Sequence, residues 1–245
     1  MTHTHHWMRI AHRGASAHAP ENTLASFNRA LECGVDGVEM DVQGTADGEA
    51  VVIHDGTLER TTNLAGKVKE KTDAEIQVAD AGSWFGARFA GERVPKLAEA
   101  LDLIKAHALA VVEIKDPSIA SVVVSTIRLT QTVQDVFVIS FHPLVLVEVR
   151  SLNPRIPTGL LISEEVPVGS EMSRAVDCVQ RTSETGANAL NVNHGMVTPE
   201  FSYHVRKRGM SLWAWTVNDV ERMRTLVALG VQGITSDDPK RFNEV

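Results

Sequence analysis

Gly37-Val38-Glu39-Met40-Asp41-Val42 is a short apolar run broken only by two carboxylates, a pattern that suits a β-strand. Runs of the same kind recur at Met8–His12, Ala110–Lys115, Phe137–Phe141, Thr158–Ile162, Ala189–Val192, Ser211–Val217 and Gly233–Ser236. Between them lie stretches with helical periodicity: Asn22–Cys33, Lys96–His107, Ile119–Thr130, Leu144–Leu152, Ser170–Thr185, Glu200–Arg208 and Val220–Ala228. Thr198-Pro199 reads as a helix start, a cap residue followed by proline at the first helical position, and Gly209 and Gly230 stand where helices end. Eight strands alternating with seven helices predict an α/β fold, a (β/α)8 barrel closed by a parallel sheet.

Two places break the alternation. Val51–His54 is strand-like but follows the Gly37–Val42 run through Thr45-Ala46-Asp47-Gly48, too short for a crossover helix. Asp-Gly is a hairpin signal, so an antiparallel hairpin is expected here. Residues 56–95 then form a stretch too long for an ordinary loop, read as a small subdomain inserted after the second strand. Its aromatic residues, Trp84, Phe85 and Phe89, are expected to form that subdomain's core. The whole chain, 1–245, is otherwise read as one domain, a size usual for such barrels.

Composition narrows the function. Of 245 residues 43% are hydrophobic and 22% charged, as in an ordinary globular protein, and no stretch approaches the roughly 20 apolar residues of a membrane span. The net charge of -7 argues against nucleic-acid binding through a broad basic face. Cys33 and Cys178, the only two cysteines, read as buried reduced thiols rather than a disulfide framework. The N-terminus has no basic segment followed by an apolar core, so the expected location is cytoplasmic. His3, His5 and His6 before the first strand read as a solvated tail.

Chemistry concentrates at the strand ends. Glu39 and Asp41 lie two apart, so both side chains leave the same face of the strand and repel unless a cation or proton intervenes. Glu113 and Lys115 repeat that spacing on a later strand, at its C-terminal end, where barrels build their active sites. Glu39, Asp41 and Glu113 would be three hard oxygen donors meeting at one place, a set that fits Mg2+ or Ca2+ better than Zn2+. The rival reading is an internal ion-pair network. Directly after the first strand comes His12-Arg13-Gly14: a glycine for a tight turn, a guanidinium fork suited to phosphate oxygens, and an imidazole able to move protons near neutral pH. His54-Asp55 ends the hairpin, and its imidazole could pair with His12 as acid and base. His18, His107, His142, His194 and His204 read as structural residues.

Taken in order, these segments resemble the glycerophosphodiester phosphodiesterase family. The likeness rests on His12-Arg13-Gly14, Pro20-Glu21-Asn22-Thr23, Glu39-Met40-Asp41-Val42, His54-Asp55, Arg60-Thr61-Thr62 and Glu113-Ile114-Lys115. Later segments continue it: Ser140-Phe141, Trp215-Thr216-Val217-Asn218 and Gly233 with Asp237-Asp238-Pro239. The resemblance implies a TIM barrel with an insertion after the second strand. It implies hydrolysis of glycerophosphodiesters to sn-glycerol 3-phosphate and an alcohol with one divalent cation. By position it makes Glu39, Asp41 and Glu113 metal ligands and His12 and His54 the acid/base pair. Arg13 and Lys115 match phosphate-binding cations, Glu21 and Asn22 fall in a motif near the site, and Trp215 matches an aromatic residue packing on the glycerol end. Departures occur at Gly44, Lys96, Ser236 and Trp213, none of them a catalytic position.

The mechanism implied is electrostatic neutralisation of the phosphate with two proton transfers, each worth about 10²–10⁴-fold. The nucleophile is either the neighbouring glycerol hydroxyl, giving a cyclic phosphate, or water. With three carboxylates, a divalent ion, Arg13 and Lys115, the site carries about one net positive charge, matched to a monoanionic diester. Competing readings are a lysophospholipase D-like phosphodiesterase on the same scaffold, a non-catalytic glycerophosphate-binding barrel, and a sugar-phosphate enzyme of the same fold. The partner expected is a small-molecule glycerophosphodiester, with no nucleic acid and no stable membrane insertion.

Overall fold

A computed structural model describes residues 7–163 and 170–245. The first six residues, with the His3, His5 and His6 cluster, lie outside the described residues. Strands and helices alternate along the chain: β1 (Met8–Ala11), α1 (Leu24–Glu32), β2 (Gly37–Gly44), β3 (Ala50–Val52), α2 (Asp73–Ile76), α3 (Leu97–Ile104), β4 (Leu109–Ile114), α4 (Ala120–Leu129) and β5 (Val136–Ser140). They continue with α5 (Pro143–Leu152), β6 (Thr158–Ile162), α6 (Glu171–Glu184), β7 (Ala189–Asn193), α7 (Pro199–Arg206), β8 (Ser211–Trp215), α8 (Val220–Ala228) and β9 (Gly233–Ser236). The sheet runs β1-β9-β8-β7-β6-β5-β4-β2, and β1 pairs again with β2, so eight parallel strands close into a barrel. The expected strand and helix positions agree with this within a few residues. Thr198 caps α7 by accepting from the Phe201 N–H at 3.1 Å, with Pro199 at the first helical position.

β3 is the hairpin arm. It pairs antiparallel with the end of β2, Val42 opposite Val52 and Gly44 opposite Ala50. Gly44 is small for a local reason: a Cβ there would fall 2.4 Å from Ile119 Cγ2, so the residue capping the β4–α4 connection occupies the space.

The barrel is filled rather than hollow. Ile10, Val111, Phe137, Ile139, Leu161, Ala189 and Trp213 form its inner core, while a larger shell lies between strands and helices. Trp213 stacks on Phe137 with centroids 4.5 Å apart, opposite Gly233, where a Cβ would sit 2.8 Å from the indole.

Between β3 and α3 a second small cluster gathers Val51, Ile53, Leu58, Val68, Ile76, Ala79, Ala81 and Val94. It is aliphatic, contrary to the aromatic core expected. Trp84 is 43% exposed, and Phe85 and Phe89 are half-buried. The reason is a polar staple: Asp80 accepts from the N–H groups of Gly82, Ser83 and Gly91 at 2.8–3.0 Å, tying down a turn already packed by small aliphatic side chains. The aromatic rings are left outside as an edge-to-face ladder, Trp84 on Phe85 at 5.6 Å and Phe85 on Phe89 at 5.5 Å. Both cysteines are free, as expected, but Cys33 is only half-buried.

Candidate active site

The turn after β1 assembles the first part of the site. Gly14 has φ +79°, and a Cβ would lie 2.4 Å from Ser26 Oγ and 2.6 Å from the Ser26 carbonyl carbon, so only glycine fits under α1. Arg13 also adopts a left-handed conformation, φ +55°. This aims its backbone N–H at Glu39 Oε2, 2.8 Å away. Its guanidinium donates to Glu21 Oε1 at 2.9 Å and lies 3.2 Å from Asp41 Oδ2.

β2 and β4 are in register so that Asp41 stands beside Glu113. Glu39, Asp41 and Glu113 are all buried, and one carboxylate oxygen from each lies within 4.8 Å of the others. Glu39 Oε1, Asp41 Oδ1 and Glu113 Oε1 accept no hydrogen bond, although Lys115 Nζ stands 2.8 Å from Glu113 Oε1 and 3.3 Å from Asp41 Oδ1. Burial, reinforced by Asp41, pushes Glu113 up to about 7 against the pull of Lys115. Burial likewise holds Glu39 well above the usual carboxylate range, whereas Lys115 and Arg13 keep Asp41 low despite its burial. Buried hard oxygens at this spacing fit a divalent cation, which would relieve that repulsion.

Each of the two histidines is braced at Nδ1. His12 pairs with Asp237 Oδ1 at 2.7 Å and His54 with Asp55 Oδ1 at 2.6 Å. Burial raises Asp237, but hydrogen bonds from His12, Asn218 and Ser16 outweigh it and bring the carboxyl to about 2. Asp55 also falls to about 2, chiefly through its hydrogen bond from Arg60. Burial lowers His54 below its ordinary value, aided by Arg13 and Lys115 and opposed by Asp41 and Asp55.

A cavity of about 250 Å³ opens at the C-terminal ends of the strands and brings together His12, Arg13, Glu39, His54, Glu113 and Lys115. Its other wall is apolar, with Ile139, Leu161, Phe141 and Trp215, the last two meeting edge to face at 5.6 Å. Glu21 and Asn22 reach the site but not this cavity's lining. Glu21 accepts from both Arg13 and Arg60. Asn22 is spent on Asp41, donating to its Oδ2 at 2.8 Å and accepting from its backbone N–H at 3.1 Å.

A model of the glycerophosphoryl diester phosphodiesterase family matches residues 12–241. The chain belongs to that family. It is 39% identical over 237 residues to a glycerophosphodiester phosphodiesterase of Caldanaerobacter subterraneus subsp. tengcongensis, covering 94% of each chain. It is 31% identical to a glycerophosphodiester phosphodiesterase of Bacillus subtilis over 97% of this chain and 86% of that one. Among solved structures, the glycerophosphodiester phosphodiesterase of Agrobacterium tumefaciens superposes with TM-score 0.81 at 31% identity, covering 96% and 98% of the two chains. An Oleispira antarctica phosphodiesterase, solved in complex with the product sn-glycerol-3-phosphate, superposes with TM-score 0.85 at 28% identity, covering 96% and 94%.

Several residues of this phosphodiesterase were not given a role from sequence. Asp237 and Asn218 come from loops after β9 and β8, and they meet through an Asn218 Nδ2 donation to Asp237 Oδ2 at 2.7 Å. Both occur in the segments that carry the family likeness, but nothing in their spacing announces a partnership with His12. Arg60 bridges Asp55 and Glu21, linking the two histidine loops through a chain of ion pairs. The remaining histidines among the described residues fall outside the cavity lining; His18 pairs with Asp238 at 2.7 Å.

Proposed function

We propose that the chain hydrolyses glycerophosphodiesters to sn-glycerol 3-phosphate and an alcohol, with one divalent cation, Mg2+ or Ca2+, held by Glu39, Asp41 and Glu113, and with His12 and His54 as its acid/base pair. The observation that carries this reading is that three buried carboxylates lie with oxygens within 4.8 Å of one another, two of them lining a 250 Å³ cavity together with two cations and two carboxylate-braced histidines. A cation bound there supplies electrostatic polarisation of the phosphate. Arg13 and Lys115 then take phosphate oxygens, the guanidinium as a planar fork and the ammonium as a point charge. Hydrogen bonds from Nδ1 to Asp237 and Asp55 leave Nε2 of each imidazole for the substrate, one removing a proton from the nucleophile, either water or the neighbouring glycerol hydroxyl whose cyclic phosphate water then opens, and the other giving one to the leaving oxygen. Glu21 and Asn22 act by position, holding Arg13 and Asp41. Trp215 packs against the glycerol end. Residues 56–95, read as an insertion in a single catalytic domain, bring Arg60 to brace the His54 side.

The test is an assay with sn-glycero-3-phosphocholine. Chelator-treated protein is expected to lose activity and to regain it with Mg2+ or Ca2+, whereas full turnover by a metal-free preparation would defeat the reading.

A second reading, a lysophospholipase D-like specificity, is favoured by the Trp84–Phe85–Phe89 ladder lying outside its local core. Arg88 covers the Phe89 ring and donates to the His18 carbonyl, placing the ladder beside the loop that follows β1. Turnover of lysophosphatidylcholine at or above that of glycerophosphocholine would select it. No helix among the described residues is long and apolar enough to cross a membrane.

A further inference from the structure

Away from the acidic cluster, one side-chain oxygen lining the cavity is buried without a hydrogen bond. Asn191 sits on β7, across the ring from β2 and β4, is 2% exposed and lines the cavity. Its Oδ1 is buried and takes part in no hydrogen bond. In register it stands between Leu161 on β6 and Trp213 on β8, so its strand neighbours offer it an apolar setting. Its backbone carbonyl has a partner, accepting the indole N–H of Trp215 at 3.3 Å. A buried acceptor that forgoes its hydrogen bond costs stability and calls for an explanation in terms of what it will bind.

An acceptor selects a donor. The phosphate of a diester monoanion has only acceptor oxygens, and its charge draws it toward Arg13 and Lys115 on the opposite side of the ring. Glycerol hydroxyls are donors. We infer that Asn191 reads the glycerol end of the substrate: its amide oxygen accepts a hydrogen bond from a glycerol hydroxyl, while Trp215, tethered to the same residue's backbone, covers the carbon chain. Asn191 is then a specificity residue that separates a polyol phosphodiester from one with a plain alkyl chain. Such discrimination follows when a site holds a buried group that only the correct ligand satisfies. The inference rests on the glycerophosphodiester reading of the site.

The experiment is calorimetric titration of the Mg2+-loaded protein with sn-glycerol 3-phosphate and with n-propyl phosphate, which has the same chain length and no hydroxyl. The unaltered protein is expected to prefer sn-glycerol 3-phosphate. Asn191→Leu is expected to bind it about tenfold more weakly, with n-propyl phosphate not weakened. Asn191→Ser, a smaller change that keeps a hydroxyl, is expected to show an intermediate preference and carries the test if the leucine variant fails to fold. An unchanged preference in the variants, or equal weakening of both ligands, overturns the assignment to Asn191 and leaves the reading of the site standing. Binding of neither ligand by the unaltered protein overturns both.

Discussion

The barrel mouth has two halves built in opposite ways. On the side of β1, β2 and β4, the functional side chains are pinned by ion pairs and hydrogen bonds: Arg13 by Glu21 and Asp41, Lys115 by Asp41 and Glu113, Asp41 by Asn22 as well, His12 by Asp237 and His54 by Asp55. On the side of β5, β6 and β8, Phe141, Leu161 and Trp215 are held by packing, with a single hydrogen bond from the indole to Asn191. A charged group moved by an ångström loses its directional bonds, whereas an aromatic wall shifted as far keeps most of its contact. On the proposed reading, the pinned half suits groups that must hold reacting atoms in place, and the packed half suits covering the glycerol end of the substrate.

Three substitutions probe that division. His12→Ala and His54→Ala remove groups from the pinned half, and each is expected to lower turnover by about 10²–10⁴-fold with circular dichroism unchanged. A variant that kept near-normal turnover would take its histidine out of the reaction. Phe141→Ala removes one ring from the packed half; KM is expected to rise by up to about tenfold while kcat stays close to normal. A collapse of kcat instead would show that the wall also positions the reacting atoms, and the contrast between halves would fail.

The smallest effect concerns acid stability. The Asp237 carboxyl lies at about 2 in the folded protein, against an ordinary 3.8. A depressed acid stabilises the fold above about pH 4, and that contribution disappears as pH falls toward 2. Urea midpoints are therefore expected to fall more steeply between about pH 4 and pH 2 in the unaltered protein than in Asp237→Asn. Parallel curves would mean that Asp237 has the same protonation behaviour folded and unfolded.

The same division explains what could be read from sequence. The pinned half was legible because its groups sit two apart on strands, as Glu39 and Asp41 do, or next to each other, as His12 and Arg13 do, and strand geometry alone converts that spacing into a shared face. Barrel closure was legible from the alternation of apolar runs with helical stretches. Partnerships across the chain were not: His12 with Asp237, or Arg60 with Glu21, depend on where loops come to rest. The aromatic ladder misled because Trp84, Phe85 and Phe89 look like core by residue type, and only the Asp80-stapled turn puts them outside. Asn191 was equally silent, an amide among apolar strand residues whose meaning lies in what fails to bond with it.

β1 is hydrogen-bonded on one flank to β2, its neighbour in sequence, and on the other to β9, near the opposite end of the chain. The bond from His12 to Asp237 spans that same seam. Joining such distant segments is among the costlier steps in folding, because most of the chain must be ordered before it is rewarded. On the proposed reading, the acid/base pair is complete only once β1 and β9 have joined. A chain with a loose β9 would keep its acidic cluster on β2 and β4 yet lack the Asp237 brace on His12, so that brace belongs to the sealed ring alone.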